Sequence, residues 1–489
     1  MPARFALVLA LALAACSSTE PAEPAAAPEP ASTEAVPITT TSPEALDLYL
    51  SGRTKMERFH PEEARKELLA AVSLDPDFAM AWLTLSWAAP SREDMENALA
   101  RAEAAAPAVT EPERDYVHAA MASHAGRLEQ AREHLEKILA RYAGDPRAHY
   151  QLAMNYWGSD DPATLDHLRR AVELDPGFDL GWNMLGYASA HFGKLPDAVE
   201  AHRRYVALLP DEPNAHDSFA ETLLRAGRYE ESIAEYERAL ALDPSFVWSR
   251  LGIGHNYVFL RRYERARNAY EKAMADARTP QDMLTANQWL TVLGIYAALP
   301  ADALSAAERG VTLAAGVGDY EAALALRTLA RVHLHAGDAK KAREIAGQAL
   351  ARLGEDATAS THRELMHGVL RLLAEIDLAE NDAEAAVRRV AELTELSKSL
   401  WEVRLTAFTE GLVALHRGDA RAALGAFERA PIEGDPRYLY HLALARLRVG
   451  EREEALRLFE EVVAYNSPSF GHALVFAPAR SQAAVLRFR

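Results

Sequence analysis

Residues 179–280 read DLGWNMLGYASAHFGKLPDAVEAHRRYVALLP, then DEPNAHDSFAETLLRAGRYEESIAEYERALALDP, then SFVWSRLGIGHNYVFLRRYERARNAYEKAMADARTP. Set in steps of 34 residues, these lines bring Gly186, Ala220 and Gly254 into one column and Ala198, Ser232 and Ala266 into a second. His202, Tyr236 and Tyr270 form a third column, and Tyr205, Ala239 and Ala273 a fourth. Pro210 and Pro244 close the first two lines. The spacing has a physical reading. Small residues let the two helices of a hairpin approach closely, bulky ones fill the gap to the next hairpin, and a proline stops the second helix. A period of this length is one helical hairpin per unit, stacked on its neighbours.

With Trp182-x2-Leu185-Gly186 opening the first line, the pattern resembles the tetratricopeptide-repeat (TPR) family. The resemblance implies an all-α superhelix, an α-solenoid, and leaves function open. Working outward, Gly52, Ala64, Leu68, Ala71 and Pro76 fit a first unit from Glu44, and LDPDFA ends it as LDPGFD and LDPSFV end later ones. Trp82, Ala98 and Ala102 mark a second, Ala131, Leu135 and Ile138 a third, and Ala153, Tyr156, Ala171 and Pro176 a fourth. After Pro280 the phase slips around Trp289, Gly294 and Ala303, so a hinge or boundary is expected there. Ala330, Ala342 and Ala349, then Ala374, Ala386 and Leu393, then Gly411, Ala423 and Phe427, then Ala443, Ala455 and Phe459 recover the period. The expectation is about twelve hairpins, in an N-terminal array over 44–280 and a more divergent one over 281–466, with 467–489 as a terminal cap. Glycines in RAGR, HAGD, HRGD and RVGE sit where paired helices turn.

The composition agrees. Of 489 residues 49 % are hydrophobic, much of that alanine, the best helix former. A net charge of −18 lacks the basic footprint that nucleic-acid phosphates require. It suits a solvated surface or basic partners.

Residues 1–15 read as a signal peptide: Arg4 supplies the positive end, and the apolar run from Phe5 is too short to span a bilayer. The run ends Leu13-Ala14-Ala15-Cys16, which resembles a bacterial lipobox and implies lipidation of Cys16, the chain's single cysteine. Ser17 after it, by resemblance to the sorting rule, points to the outer membrane, facing the periplasm. Residues 16–43, rich in Pro, Ala and Glu, read as an extended, mobile tether.

A search for chemistry finds no GxSxG, P-loop, CxxC or HExxH. His333, His335, His362 and His367 lack metal-ligand spacing. No catalytic residue, metal or cofactor is expected, and a non-catalytic surface remains. The resemblance places particular first-helix residues on the concave face: Tyr150, Met154 and Trp157, then Asn183 and Tyr187, then Asp217 and Glu221, then Trp248 and His255. Aromatics beside hydrogen-bonding groups suit a peptide or a sugar, although any of them can instead pack between repeats. The family's two-carboxylate clamp is not reproduced, and Asp217 and Glu221 favour a basic or neutral ligand. The functional expectation is a lipid-anchored scaffold that binds an envelope protein or extended peptide, with self-association open. Capture of glycan or peptidoglycan fragments is the alternative.

Overall fold

The computed structural model describes residues 32–157, 161–353, 360–429, 431–432 and 434–487. The signal peptide, Cys16 and the tether as far as residue 31 lie outside them. Among the described residues there is no strand, and twelve antiparallel hairpins follow one another. Hairpins one to four are α1 (Pro43–Glu57) with α2 (Pro61–Leu74), α3 (Ala79–Trp87) with α4 (Arg92–Ala105), α5 (Glu111–His124) with α6 (Leu128–Arg141), and α7 (Pro146–Tyr156) with α8 (Ala163–Leu174). The next four are α9 (Asp179–His191) with α10 (Leu195–Leu208), α11 (Pro213–Arg225) with α12 (Tyr229–Leu242), α13 (Val247–Phe259) with α14 (Tyr263–Ala275), and α15 (Pro280–Tyr296) with α16 (Pro300–Ala314). The last four are α17 (Asp319–His335) with α18 (Ala339–Leu353), α19 (Ser360–Ala379) with α20 (Ala383–Leu396), α21 (Leu400–His416) with α22 (Ala420–Arg429), and α23 (Pro436–Arg448) with α24 (Arg452–Ala464). A lone helix, α25 (Phe470–Arg487), follows. The all-α solenoid expected from the 34-residue period is the observed fold.

The sequence columns are the packing. Ala198, Ala239, Ala266 and Ala273 are fully buried, as is Tyr205 within 1 %. A Cβ on Gly186 would lie 2.4 Å from the His202 ring, one on Gly252 2.1 Å from Tyr236, and one on Gly254 2.2 Å from Tyr270. The bulky column therefore lies flat on backbone that only glycine exposes. Turns between paired helices use a left-handed residue: Gly227, Gly337, Gly418 and Gly450 have φ from 73° to 95°, and Arg261, Ala298 and Asn381 take the same conformation without glycine's freedom.

The phase slip at Pro280 has a simple cause. First helices α9, α11 and α13 have 13 residues, whereas α15 and α17 have 17 and α19 has 20. The longer helices move every later column by about a turn. Packing continues across Pro280, where Trp289 lies 6.3 Å from Tyr270 and 4.2 Å from His255, ring to ring.

Both ends fold back on the array. Residues 32–42, read above as mobile tether, form an extended strap bound by three carboxylates. Ser32 exchanges backbone hydrogen bonds with Arg141 and Gly144. Val36 N donates to Asp145 Oδ2 at 2.7 Å, Thr39 to both oxygens of Glu113, and Thr40 and Thr41 to Asp75 Oδ2. Asp145 also caps α7, and Glu113 completes a capping box with Thr110, so residues that end helices also hold the strap. The strap is extended, as its composition implied, and it is fixed because its N–H and hydroxyl groups meet buried acceptors. The C-terminal segment does more than cap α24. Tyr229 Oη donates to Asn466 Oδ1 at 2.6 Å, and His472 meets Tyr296 Oη at 2.8 Å, so the segment closes onto the middle of the chain. Among the described residues no helix is long and apolar enough to cross a membrane.

Candidate binding groove

The first helices of hairpins one to five, α1, α3, α5, α7 and α9, enclose a groove of about 760 Å³. Its lining is mostly apolar: Met56, Met80, Met95, Met154 and Met184 converge there with Trp87, Tyr150 and Phe178. Unbranched thioether chains repack readily and contact aromatic rings favourably, so such a lining adapts to varied apolar side chains. Phe59 and Trp87 remain 53 % and 44 % exposed, although both are large and apolar. Polar groups are few and placed. Arg147 binds Glu57 with Nε at 2.9 Å and Nη2 at 3.2 Å, and Tyr116 Oη donates to Asp145 at 3.0 Å. Val36 and Ile38 of the strap form part of the wall. The C-cap residue of α1, Arg58, reaches the fifth unit and pairs with Asp179 at 2.9 Å.

The nine residues expected on the concave face divide into four groups. Tyr150 and Met154 line this groove, Tyr150 standing edge-on to Phe178 at 5.6 Å. Tyr187, Asp217 and Glu221 form a second, acidic cluster across α9 and α11. Tyr187 Oη donates to Ser218 Oγ at 3.0 Å and approaches Glu221 Oε2 at 3.4 Å, Ser249 donates to Asp217 at 2.6 Å, and Glu221 pairs with Arg225. Burial, reinforced by Glu221 and opposed by the Ser249 hydrogen bond, pushes Asp217 up to about 6. Trp157 and Trp248 stand apart from the groove, 43 % and 57 % exposed, with Trp157 ring to ring with His191 at 6.4 Å.

Asn183 and His255 are packing residues, which corrects their placement in the groove. Asn183 is 2 % exposed, and its Oδ1 meets His202 Nε2 at 3.2 Å while His202 Nδ1 meets Thr222 Oγ1 at 2.7 Å. His255 is wedged between Trp289 and Tyr270, its Nε2 is buried without a hydrogen bond, and burial holds the imidazole near 3, so it stays neutral. Trp289, beyond the phase slip at Pro280, takes the space in front of His255.

A further set of residues was missed in the sequence. Asp115 and His118 on α5 and His134 on α6 bring their donor atoms within 4.8 Å of one another, half-buried, with His134 Nδ1 2.7 Å from Asp115 Oδ1. Asp-x2-His puts two donors on one helix face, and the antiparallel partner supplies the third. Imidazole nitrogens with one carboxylate suit a divalent transition ion. The spacing Asp115 to His118 was the available signal; His134 becomes its neighbour only through the hairpin. Of the histidines weighed from sequence, His367 instead bonds Thr406 Oγ1 at 3.0 Å inside the core.

A recurrent contact also joins four units to the turn before them. Trp82 Nε1 donates to Pro76 O at 2.8 Å, Trp182 Nε1 to Pro176 O at 3.0 Å, and Arg250 Nη2 to Pro244 O at 3.0 Å, while His216 Nε2 meets Pro210 O at 2.9 Å. A long donor at that position satisfies the carbonyl of the proline turn whatever its chemical type.

The chain resembles known proteins over parts of its length. Residues 220–258 match the family described as TPR repeat, and residues 165–213 and 249–275 match tetratricopeptide-repeat families. A peroxisomal targeting signal receptor of Kluyveromyces lactis is 29 % identical over 103 residues, which are 21 % of this chain and 18 % of that receptor. The chain thus spans under a fifth of that relative's length. Among solved structures, a tetratricopeptide repeat protein from Parabacteroides merdae is 12 % identical with a TM-score of 0.36, over 61 % of this chain and 98 % of that one. A TPR repeat-containing protein of Pseudomonas aeruginosa is 34 % identical over 76 residues, 15 % of this chain and 72 % of that protein. With that relative and the 34-residue columns that pack its hairpins, the chain belongs to the tetratricopeptide-repeat family.

Proposed function

We propose that the protein is a non-catalytic scaffold, lipid-anchored through Cys16 at the bacterial outer membrane and facing the periplasm. In this reading its first five hairpins hold a segment of an envelope protein. The observation that carries the binding role is the groove of about 760 Å³ lined by five methionines and open beside exposed Trp87 and Phe59. Exposed aromatic and thioether groups around a concavity are costly for a monomer and profitable when a partner covers them. The occupant is a peptide with bulky apolar side chains. Asp217 and Glu221 on α11, the next first helix, favour a basic residue elsewhere in the same segment. Matched relatives support a binding role for the repeat: one is named as a receptor for a targeting signal and another as an Hsp70-Hsp90 organizing protein.

Glycan capture, the rival reading, needs many polar groups to meet sugar hydroxyls, and the lining of this groove is mostly apolar. In-cell cross-linking from a photo-reactive residue at Met154 tests the proposal, with the part-exposed Glu454 of α24 as the control site. One envelope protein trapped at Met154 and absent at Glu454 is the expected result. Cell-wall fragments alone, or identical products from both sites, would overturn it. Retention in the outer-membrane fraction that is lost on Cys16→Ala tests the anchor.

A further inference from the structure

Far from the apolar groove, the first helices of hairpins nine, ten and twelve gather an excess of buried positive charge. Arg331 of α17 and Arg437 of α23 both donate to Glu375 Oε2 of α19, at 2.5 Å and 2.8 Å, and each of the three side chains is 14 % exposed. Arg371 lies one turn before Glu375 yet makes no hydrogen bond or ion pair among the described residues. Its Nε is buried without a partner, and its guanidinium carbon sits 5.8 Å from the ring of Phe408, as does that of Arg437. Arg327 of α17 likewise reaches no anion among the described residues. It lies over α19 at Gly368, where a Cβ would come within 2.5 Å of its Nη1.

The remaining groups facing the cluster do not balance it. Asp435 is near, but its Oδ1 accepts the N–H groups of Arg437 and Tyr438 at the start of α23. His441 is neutral, burial and then Arg437 holding it down to about 4. Among the described residues, four guanidinium groups face Glu375 and Asp435, two positive charges in excess. Other arginines around α19 are matched: Arg343 of α18 bonds Asp377 and Glu380, and Arg363 of α19 bonds Glu402. Burial, followed by repulsion from Arg437, presses Arg371 down to about 9, and burial presses Arg331 down to about 10. A desolvated cation without a counter-ion is strongly disfavoured, and planar guanidinium groups bind oxyanions through paired hydrogen bonds.

We propose that Arg371 and Arg327, flanking the Arg331–Glu375–Arg437 cluster, form a binding site for an oxyanion, a carboxylate or phosphate group carried by a ligand. The site is separate from the methionine groove and opposite to it in chemistry.

Calorimetric titration of the full chain with sodium phosphate and with hexaglutamate, at matched ionic strength in chloride, tests this. At least one of the two should bind, and Arg371→Met should weaken it tenfold or more while Arg457→Ala, at an exposed arginine of α24, leaves it unchanged. Tighter binding of hexaglutamate assigns an acidic polypeptide as the source, and tighter binding of phosphate a phosphorylated ligand. Thermal unfolding separates this from a merely structural cluster. Glu375→Gln adds to the positive excess, so its melting temperature should fall without anion and rise more than wild type's when phosphate or hexaglutamate is added. Arg371→Met should lose that response. Equal titrations for the Arg371 and Arg457 variants, absence of binding by both probes, or a Glu375→Gln deficit that neither anion repairs would overturn the proposal.

Discussion

Asp217→Asn should strengthen α11, and only above the pH at which aspartate normally ionises. Asp217 is largely buried on the inner face, accepts one hydrogen bond from Ser249 and has Glu221 one turn away. Burial first and Glu221 second hold its carboxyl near 6, against an ordinary value of 3.8. Because the folded value is raised, the folded state holds the proton more tightly than the unfolded chain does. The stability this contributes is present below about pH 4 and lost as pH rises through about 6. At about 1.4 kcal/mol per pH unit, the full displacement corresponds to about 3 kcal/mol at pH 8. Water at the exposed edge of the groove screens part of it, leaving about 1–3 kcal/mol. Asparagine keeps the acceptor for Ser249 and removes the charge. Amide hydrogen exchange in α11, with variant and wild type at the same pH, reads the local free energy directly. The variant should exchange roughly 5- to 150-fold more slowly at pH 8, with the gap closing towards pH 4. A gap that is constant with pH, or faster exchange of the variant at pH 8, would refute the reasoning. A lysine from a bound segment would remove the same penalty, so affinity for a basic peptide at this face should rise between pH 5 and pH 7.

Ala298 holds a left-handed turn with φ of 56°, so Ala298→Gly should stabilise α15 and α16 by about 1 kcal/mol in urea unfolding. Gly254→Ala places a methyl group 2.2 Å from the Tyr270 ring and should cost about 1–3 kcal/mol by the same assay. The Asp115, His118 and His134 group should bind Zn²⁺, read as retained metal after dialysis and as a tetrahedral absorption spectrum with Co²⁺, and His118→Ala should abolish both. Asn466→Ala removes the acceptor of Tyr229 and should speed amide exchange in α25 while leaving α5 to α8 unchanged.

What could be read from the chain alone follows from the range of the forces involved. The columns around Gly186, Ala198 and His202 reflect contacts within a hairpin or between neighbours, and a solenoid is built of little else. For the same reason Tyr150 and Met154 were legible as groove residues. Asn183 was not, because its partner His202 lies on the second helix of its own hairpin and draws the amide inward. His255 was misplaced because a longer α15 swings Trp289 over it. The cation cluster gave no sequence signal: Arg331, Glu375 and Arg437 are separated by intervals of 44 and 62 residues, unlike any multiple of the repeat. The strap was misread for a related reason. Its composition correctly forbids a core of its own, but it does not reveal that Asp75, Glu113 and Asp145 accept its backbone and hydroxyl donors.

That strap also fixes how the molecule bears load. The chain enters at Ser32 beside the fourth hairpin and runs back past Glu113 and Asp75 to reach α1. A pull on anything preceding Ser32 therefore does not peel α1 from the end of the array, where a single turn would yield first. Tension is delivered at hairpin four and shared along a row of hydrogen bonds spread from Arg141 to Asp75. A scaffold tugged through its tether would hold its shape at the end where its groove lies.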